Sequence, residues 1–263
     1  MGSKTVKLED LVSMDHPGDV LEETVRVALM VFPGWDPQPL RQAYGDIVRL
    51  FRGEYPGYRG CNTGFHDLKH TNDCLMAMAR LVHGAYVQGC DFRLREAFLG
   101  FLAALMHDTG YIQAAEERSG TGAKHTLAHV GRSIDFMEGH FVRTGYTRRD
   151  FEVARSCLQC TALDAGTDGI PFESAGHEMV GRMLGTADLL GQMGDRTYLE
   201  RLPFLYEEFR EGRVPGFPNE LELLRRTPEF WEFAKRRFAN ELGGVDRYMR
   251  AHFSSRWGID RDL

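Results

Sequence analysis

Three short segments of the chain carry residue types that bind metal ions and move protons. The first is FHDLKHTND, residues 65–73, in which His66 and His70 stand four apart. Residues at that spacing share one face of a helix, so two imidazoles converge on one point and offer a metal two nitrogen ligands. Taken alone, the pair is a weak signal, and exposed or merely hydrogen-bonded histidines are the better reading. The second segment is LMHDTGY, residues 105–111, where His107 and Asp108 follow an apolar run. An imidazole and a carboxylate together suit Mn, Mg, Fe, Co, Ni or Zn. A buried carboxylate with no cation beside it is costly. The helix end marked by Gly110 also carries partial negative charge that favours a cation. A His-Asp pair that caps the helix is the other reading. The third segment is GTADLLGQM, residues 185–193, in which Asp188 stands among Leu184, Ala187, Leu189 and Leu190. Only the fold can bring this acid to His107.

The elements that must position these groups are helical. An amphipathic stretch containing Val20, Val25, Val27 and Leu29 stops at Pro33-Gly34, and a second runs from about Pro39 to Arg52. The pattern predicts a long helix from His66 to Val87 and a buried one over 92–106, apolar on nearly every side. A loop follows at 117–124, then helices near 125–143, 148–162, 174–211, 219–226, 228–240 and 244–253. Thr227-Pro228-Glu229 is a start signal, with a capping hydroxyl before proline. Alternating strands and hairpin turns are missing from the pattern. The expected fold class is all-α, a single helical domain over 1–263, with core motifs in 65–193, N-terminal helices in 19–52 and C-terminal helices in 197–253.

Composition narrows the class. With 32 basic and 38 acidic residues the 263-residue chain carries a formal charge of −6, which gives no basic footprint for nucleic acid. Hydrophobic residues at 43% and charged residues at 27% exclude a disordered chain. No apolar run approaches the roughly 18 residues of a membrane span. The N-terminal MGSKTVKLED lacks the apolar region of a signal peptide, and Val6 breaks the myristoylation pattern that Gly2 begins. The expectation is a cytoplasmic protein. Five cysteines fit a reducing compartment, and the Cys157/Cys160 pair, with no second pair to complete a zinc site, reads as two small core residues.

His, His-Asp and Asp spread over apolar helices in this order resemble the HD superfamily of metal-dependent phosphohydrolases. FHDLKHTND is also similar to the YHNxxHxxDV motif of its cyclic-nucleotide phosphodiesterase branch, with Phe65 for Tyr, Asp67 for Asn and Cys74 for Val. The resemblance covers residues 65–193, about half the chain. It implies an HD-type helical bundle, one or two divalent cations, and a small phosphoester substrate, a nucleotide foremost. It makes His70, His107, Asp108 and Asp188 the metal ligands, with Asp108 bridging to a second ion. His66 becomes the general acid for the leaving oxygen, and Asp73 an acid that holds the helix or orients a histidine.

The chemistry implied is attack by a water whose pKa a metal lowers, charge neutralisation by the cation, and protonation of the leaving group by His66. The chain departs from the phosphodiesterase pattern at Tyr111, where a further histidine is usual. His125 and His129, again four apart, are candidates for a second metal, for substrate or for support behind the ligands, while Lys69, Lys124 and Arg132 could contact phosphate but read first as solvated helix-face charges. His83, His140, His177 and His252 read as surface or capping residues, and His16 as part of a flexible segment. The aromatic series from Phe204 to Phe238 reads chiefly as packing of C-terminal helices onto the core. Two alternatives stand beside the hydrolase: a di-iron oxygenase of the same fold, motivated by His125 and His129, and a nucleotide-sensing module without turnover, motivated by Tyr111.

Overall fold

Apolar positions repeating every three to four residues can be buried only as helices, and every regular element among the described residues is helical. The computed structural model describes Met14, residues 16–163 and residues 166–260. The leader and lipidation readings at Gly2 and Val6 lie outside them. The helices are α1 (Pro17–Val31), α2 (Gln38–Arg52), α3 (Leu68–Val87), α4 (Leu94–Met106), α5 (His129–Thr144), α6 (Arg148–Gln159), α7 (Ala175–Met193), α8 (Tyr198–Glu211), α9 (Glu220–Arg225), α10 (Thr227–Asn240) and α11 (Arg247–Trp257). No helix among the described residues is long and apolar enough to cross a membrane.

Local signals fix the ends. Pro17 opens α1, and His16 is its cap residue, with its carbonyl accepting from Asp19 and Val20. His16 is thus part of a helix start rather than of a flexible segment. Asp67 caps α3 by accepting the His70 amide at 3.0 Å, so α3 begins after His66 and the two histidines do not share a helical face. The single helix expected over 174–211 is two. Asp195 accepts the Thr197 amide at 2.9 Å and turns the chain between α7 and α8, the local competition that short acidic side chains offer to helix. The helix expected from 125 starts as a tighter 3₁₀ turn, Gly122–Ala128, before α5. Thr227 is the first residue of α10 and not its cap; Arg226 holds the cap position.

Helices α3, α4 and α7 form the centre, with α3 packed most extensively on α7 and also against α1, α11 and α4. The three central helices carry His70, His107 and Asp188. Helices α8 to α10 lie outside this core and close two smaller apolar clusters, one around Phe65, Leu202, Leu205 and Leu223, the other around Leu189, Ala234, Phe238 and Leu242. Phe204 and Trp231 are about half exposed, so they do not pack onto the core as expected.

The four histidines expected at the surface are buried, each at most 2% exposed. Each ring has a partner that makes burial tolerable. His140 Nε2 meets Asp46 at 3.2 Å, joining α5 to α2. His177 Nε2 donates to the Val153 carbonyl at 3.0 Å while Nδ1 accepts the Glu173 amide just before α7, whose cap is Ser174. His83 and His252 join through their Nδ1 atoms at 3.1 Å, tying α3 to α11, and burial pushes His252 down to about 2. Cys157 and Cys160 are buried, free thiols with pKa values raised by burial, as core residues are.

Gly84 sets the approach of α11 to α3, because a Cβ there would stand 1.9 Å from the Tyr248 carbonyl oxygen. Gly131, exposed on α5, has open space at the same position. Gly84→Ala is therefore expected to lose about 2 kcal/mol or more through overpacking, whereas Gly131→Ala gains up to about 1 kcal/mol from helix propensity. Urea denaturation of both variants measures the two opposite signs.

Candidate metal centre

The central helices deliver their polar residues to one point. Leu105 and Met106 are fully buried, and α4 ends there. Ser133 on α5 holds the chain as it leaves the helix, accepting the Gly110 amide at 2.8 Å and donating to the His107 carbonyl at 2.5 Å. Gly110 permits this contact, since a Cβ there would meet the His129 backbone at 2.0 Å. The turn thus presents His107 and Asp108 to the face of α3 that carries His70 and the face of α7 that carries Asp188.

His107 Nδ1 donates to the Ala104 carbonyl at 2.8 Å, which leaves the Nε2 lone pair directed at the cluster. His107 Nε2 lies 3.4 Å from His70 Nε2 and 3.3 Å from Asp108 Oδ2, and His70 Nε2 lies 3.5 Å from that same oxygen. Asp188 Oδ1 sits 3.0 Å from His70 Nε2 and 3.4 Å from His107 Nε2. Bonds of about 2.0–2.2 Å to a cation place neighbouring ligand atoms about 2.8–3.6 Å apart in tetrahedral or octahedral geometry. The observed spacings fall in that range. Asp108 is 2% exposed, and its Oδ2 has no hydrogen-bond partner. A buried carboxylate oxygen that makes no hydrogen bond and lies within ion-pair reach of two imidazole nitrogens could take a divalent cation, and these residues fit one.

Electrostatics agree with this geometry. Burial alone disfavours charge on His107, but Asp108 and Asp188 outweigh it and raise its pKa well above 6.5. Burial likewise opposes ionisation of Asp108 and Asp188, and the neighbouring histidines hold both below the usual carboxylate range. The cluster is a concentrated negative field in a dry setting.

Other predicted residues divide. His129 Nδ1 donates to the Thr126 carbonyl at 2.6 Å, and its Nε2 lies 3.9 Å from Asp108 Oδ1, the oxygen turned away from His70 and His107. Burial keeps His129 below the ordinary histidine pKa despite Asp108. Tyr111 is 2% exposed and stacks on His66 (4.4 Å, 9°) and on His129 (4.8 Å, 23°), so both imidazoles rest against one phenol ring. His125 is drawn away to Glu117 at 3.1 Å, and Lys124 reaches the same carboxylate at 3.7 Å. Lys69 bridges Asp73 and Asp195, each at 2.8 Å, so Asp73 ties α3 to the α7–α8 turn and orients no histidine. Arg132 donates to the Gly110 and Ile112 carbonyls and serves the turn. None of His125, Lys69, Lys124 and Arg132 reaches the cavity beside the cluster, because local carboxylates or carbonyls hold each one first.

That cavity, of about 530 Å³, has His66, Asp108, Tyr111, His129 and Asp188 in its lining. Sequence reasoning missed Glu208 on α8. Its Oε1 accepts the Phe65 amide at 2.6 Å and its Oε2 meets His66 Nδ1 at 2.5 Å, so His66 is oriented by a carboxylate from the far end of the chain. Burial works against a charged His66, and Asp108 and Glu208 prevail, raising its pKa above 6.5. The available signal is an acid three residues after Leu205, on the apolar face of α8, 3% exposed.

Comparison with family models, with curated proteins and with solved structures finds no match.

The chain is expected to bind one Mn²⁺ per molecule at this cluster with calorimetrically measurable affinity. Asp108→Asn or Asp188→Asn is expected to weaken binding at least about 100-fold, the upper end of what loss of an outer-shell partner produces. Unchanged Mn²⁺ affinity in both variants refutes the assignment.

Proposed function

We propose that the protein is a metal-dependent phosphohydrolase of HD type that cleaves a small phosphoester. The observation that carries this reading is the convergence of His70, His107 and Asp108, with Asp188 against both imidazoles, beside a cavity, and with no hydrogen bond to Asp108 Oδ2. A divalent cation held by these four residues supplies positive charge for the phosphoryl oxygens and a nucleophilic water near neutral pH. In the reaction, water oxygen adds to phosphorus and the bond to the leaving oxygen breaks.

His66 completes the balance. Glu208 takes its Nδ1 proton in a hydrogen bond, which directs Nε2 into the cavity. The carboxylates around His66 favour its protonated ring, and an Nε2 proton there can pass to the leaving oxygen, with the proton released by the attacking water restoring it. Tyr111 holds the His66 imidazole plane by stacking. The oxygenase alternative draws on His125 and His129, and the turn of His125 toward Glu117 removes half of its motive. The sensing alternative draws on Tyr111, whose place in the stack is compatible with an orienting role in turnover.

Mn²⁺-loaded protein is expected to hydrolyse p-nitrophenyl phosphate or its diester, with Asp108→Ala abolishing turnover. An absence of turnover across aryl phosphates and a nucleotide panel, with Mn²⁺ bound, contradicts the proposal. The pH profile carries the sign of the mechanism. An acid catalyst works below its pKa, so activity is expected to fall as pH rises through the elevated His66 value. Glu208 holds that value up independently of the cation, so Glu208→Gln is expected to move the alkaline limb to lower pH and reduce kcat about 10²-fold or more.

A further inference from the structure

A phosphoester leaves negative charge that the metal cluster, itself built on two carboxylates, does not fully neutralise. The expected phosphate cations do not supply the remainder: Lys69, Lys124 and Arg132 are each held by groups outside the cavity. Among the described residues lining the cavity, the permanent cations are Arg226 and Arg236. Arg226 is the cap residue of α10 and its guanidinium lies 5.8 Å over the Phe217 ring. Positions 226, 230, 233 and 236 repeat at three and four residues, so both arginines share one face of α10 with Phe230 and Phe233. That face borders the cavity.

The rest of the lining is mostly hydrocarbon and aromatic, with Leu202, Leu205, Phe209, Phe217, Phe230 and Phe233 prominent. Several polar groups of the lining are engaged within the protein, and Glu229 adds one carboxylate beside the arginines on α10. Thr126 donates to the Ala123 carbonyl at 2.7 Å, Thr161 to the Leu158 carbonyl at 2.9 Å, and Gln192 to the Tyr198 hydroxyl at 3.3 Å. A polar ring placed there loses its hydrogen bonds to water and regains few, whereas an apolar body gains from burial.

Building on the hydrolase reading, we propose that the substrate is the phosphoester of a bulky apolar alcohol or phenol, with Arg226 and Arg236 as the residues that answer its negative charge. The aromatic face of α10 and the leucines of α8 hold the apolar body while the arginines steer the anionic group. Nucleotides, with their polar sugar and base, are poorer ligands for such walls.

The test uses Mn²⁺-loaded full-length protein and a phosphonate that cannot be hydrolysed, so its outcome is independent of turnover. Calorimetry compares (1-naphthylmethyl)phosphonate with methylphosphonate, with AMP, and with uncharged 1-naphthylmethanol. The naphthyl phosphonate is expected to bind roughly tenfold or more tighter than methylphosphonate and than AMP, as burial of an apolar body of this size requires. Arg226→Gln combined with Arg236→Gln is expected to weaken the naphthyl phosphonate roughly tenfold and leave naphthylmethanol and Mn²⁺ binding unchanged. AMP binding as tightly as the naphthyl phosphonate, equal losses for the charged and uncharged naphthyl ligands in the double variant, or no phosphonate binding at all with Mn²⁺ bound each overturns the inference. Tight phosphonate binding without catalysis supports the inference while removing the hydrolase reading.

Discussion

A single carboxylate oxygen organises the centre of this molecule. Asp108 Oδ2 is buried and has no hydrogen-bond partner, and it faces two imidazole nitrogens at 3.3 and 3.5 Å. An isolated charge in such a place costs several kcal/mol after relaxation. The surrounding residues that tolerate it are the ones a divalent cation requires. Asp188 adds a second negative charge against the same pair of imidazoles, and Ala104 fixes the tautomer of His107 from behind.

Much of the fold follows from placing that oxygen. The His107-Asp108 turn leaves α4 under the hold of Ser133, and the absence of a Cβ at Gly110 lets α5 press against it. Helices α3 and α7, the most extensively packed pair, close on the turn from two sides. The outer helices then add what the centre lacks: α8 brings Glu208 to His66, and α10 brings the arginines and aromatic rings that border the cavity.

The helical class and most helix positions were legible in the sequence, because apolar periodicity is set locally. The four residues that meet at the centre were named together only through the family resemblance; residue chemistry alone marked Asp108 and Asp188 as costly acids on apolar helices and left their partners open. What was not legible depends on distance and direction. Glu208 is one acid among many on C-terminal helices, and only the folded chain shows that it meets His66. Lys69 and His125 have suitable types and spacing, but Asp195 and Glu117 capture them, and sequence spacing does not encode which neighbour is nearer. The break between α7 and α8 escaped notice because an aspartate turn interrupts a pattern whose apolar period continues across it. The buried histidines misled through composition, since a histidine with both nitrogens satisfied packs as core, as His177 does.

The central claim is that four side chains from α3, the α4 turn and α7 hold one divalent cation. Crystals of the Mn²⁺-loaded protein, measured at the manganese absorption edge, test it directly. The account predicts an anomalous peak about 2.0–2.3 Å from His70 Nε2, His107 Nε2, Asp108 Oδ2 and an Asp188 oxygen, distances ordinary for such ligands. A protein with Mn²⁺ in the crystal but no anomalous peak at these four atoms, or with its peak elsewhere, contradicts it.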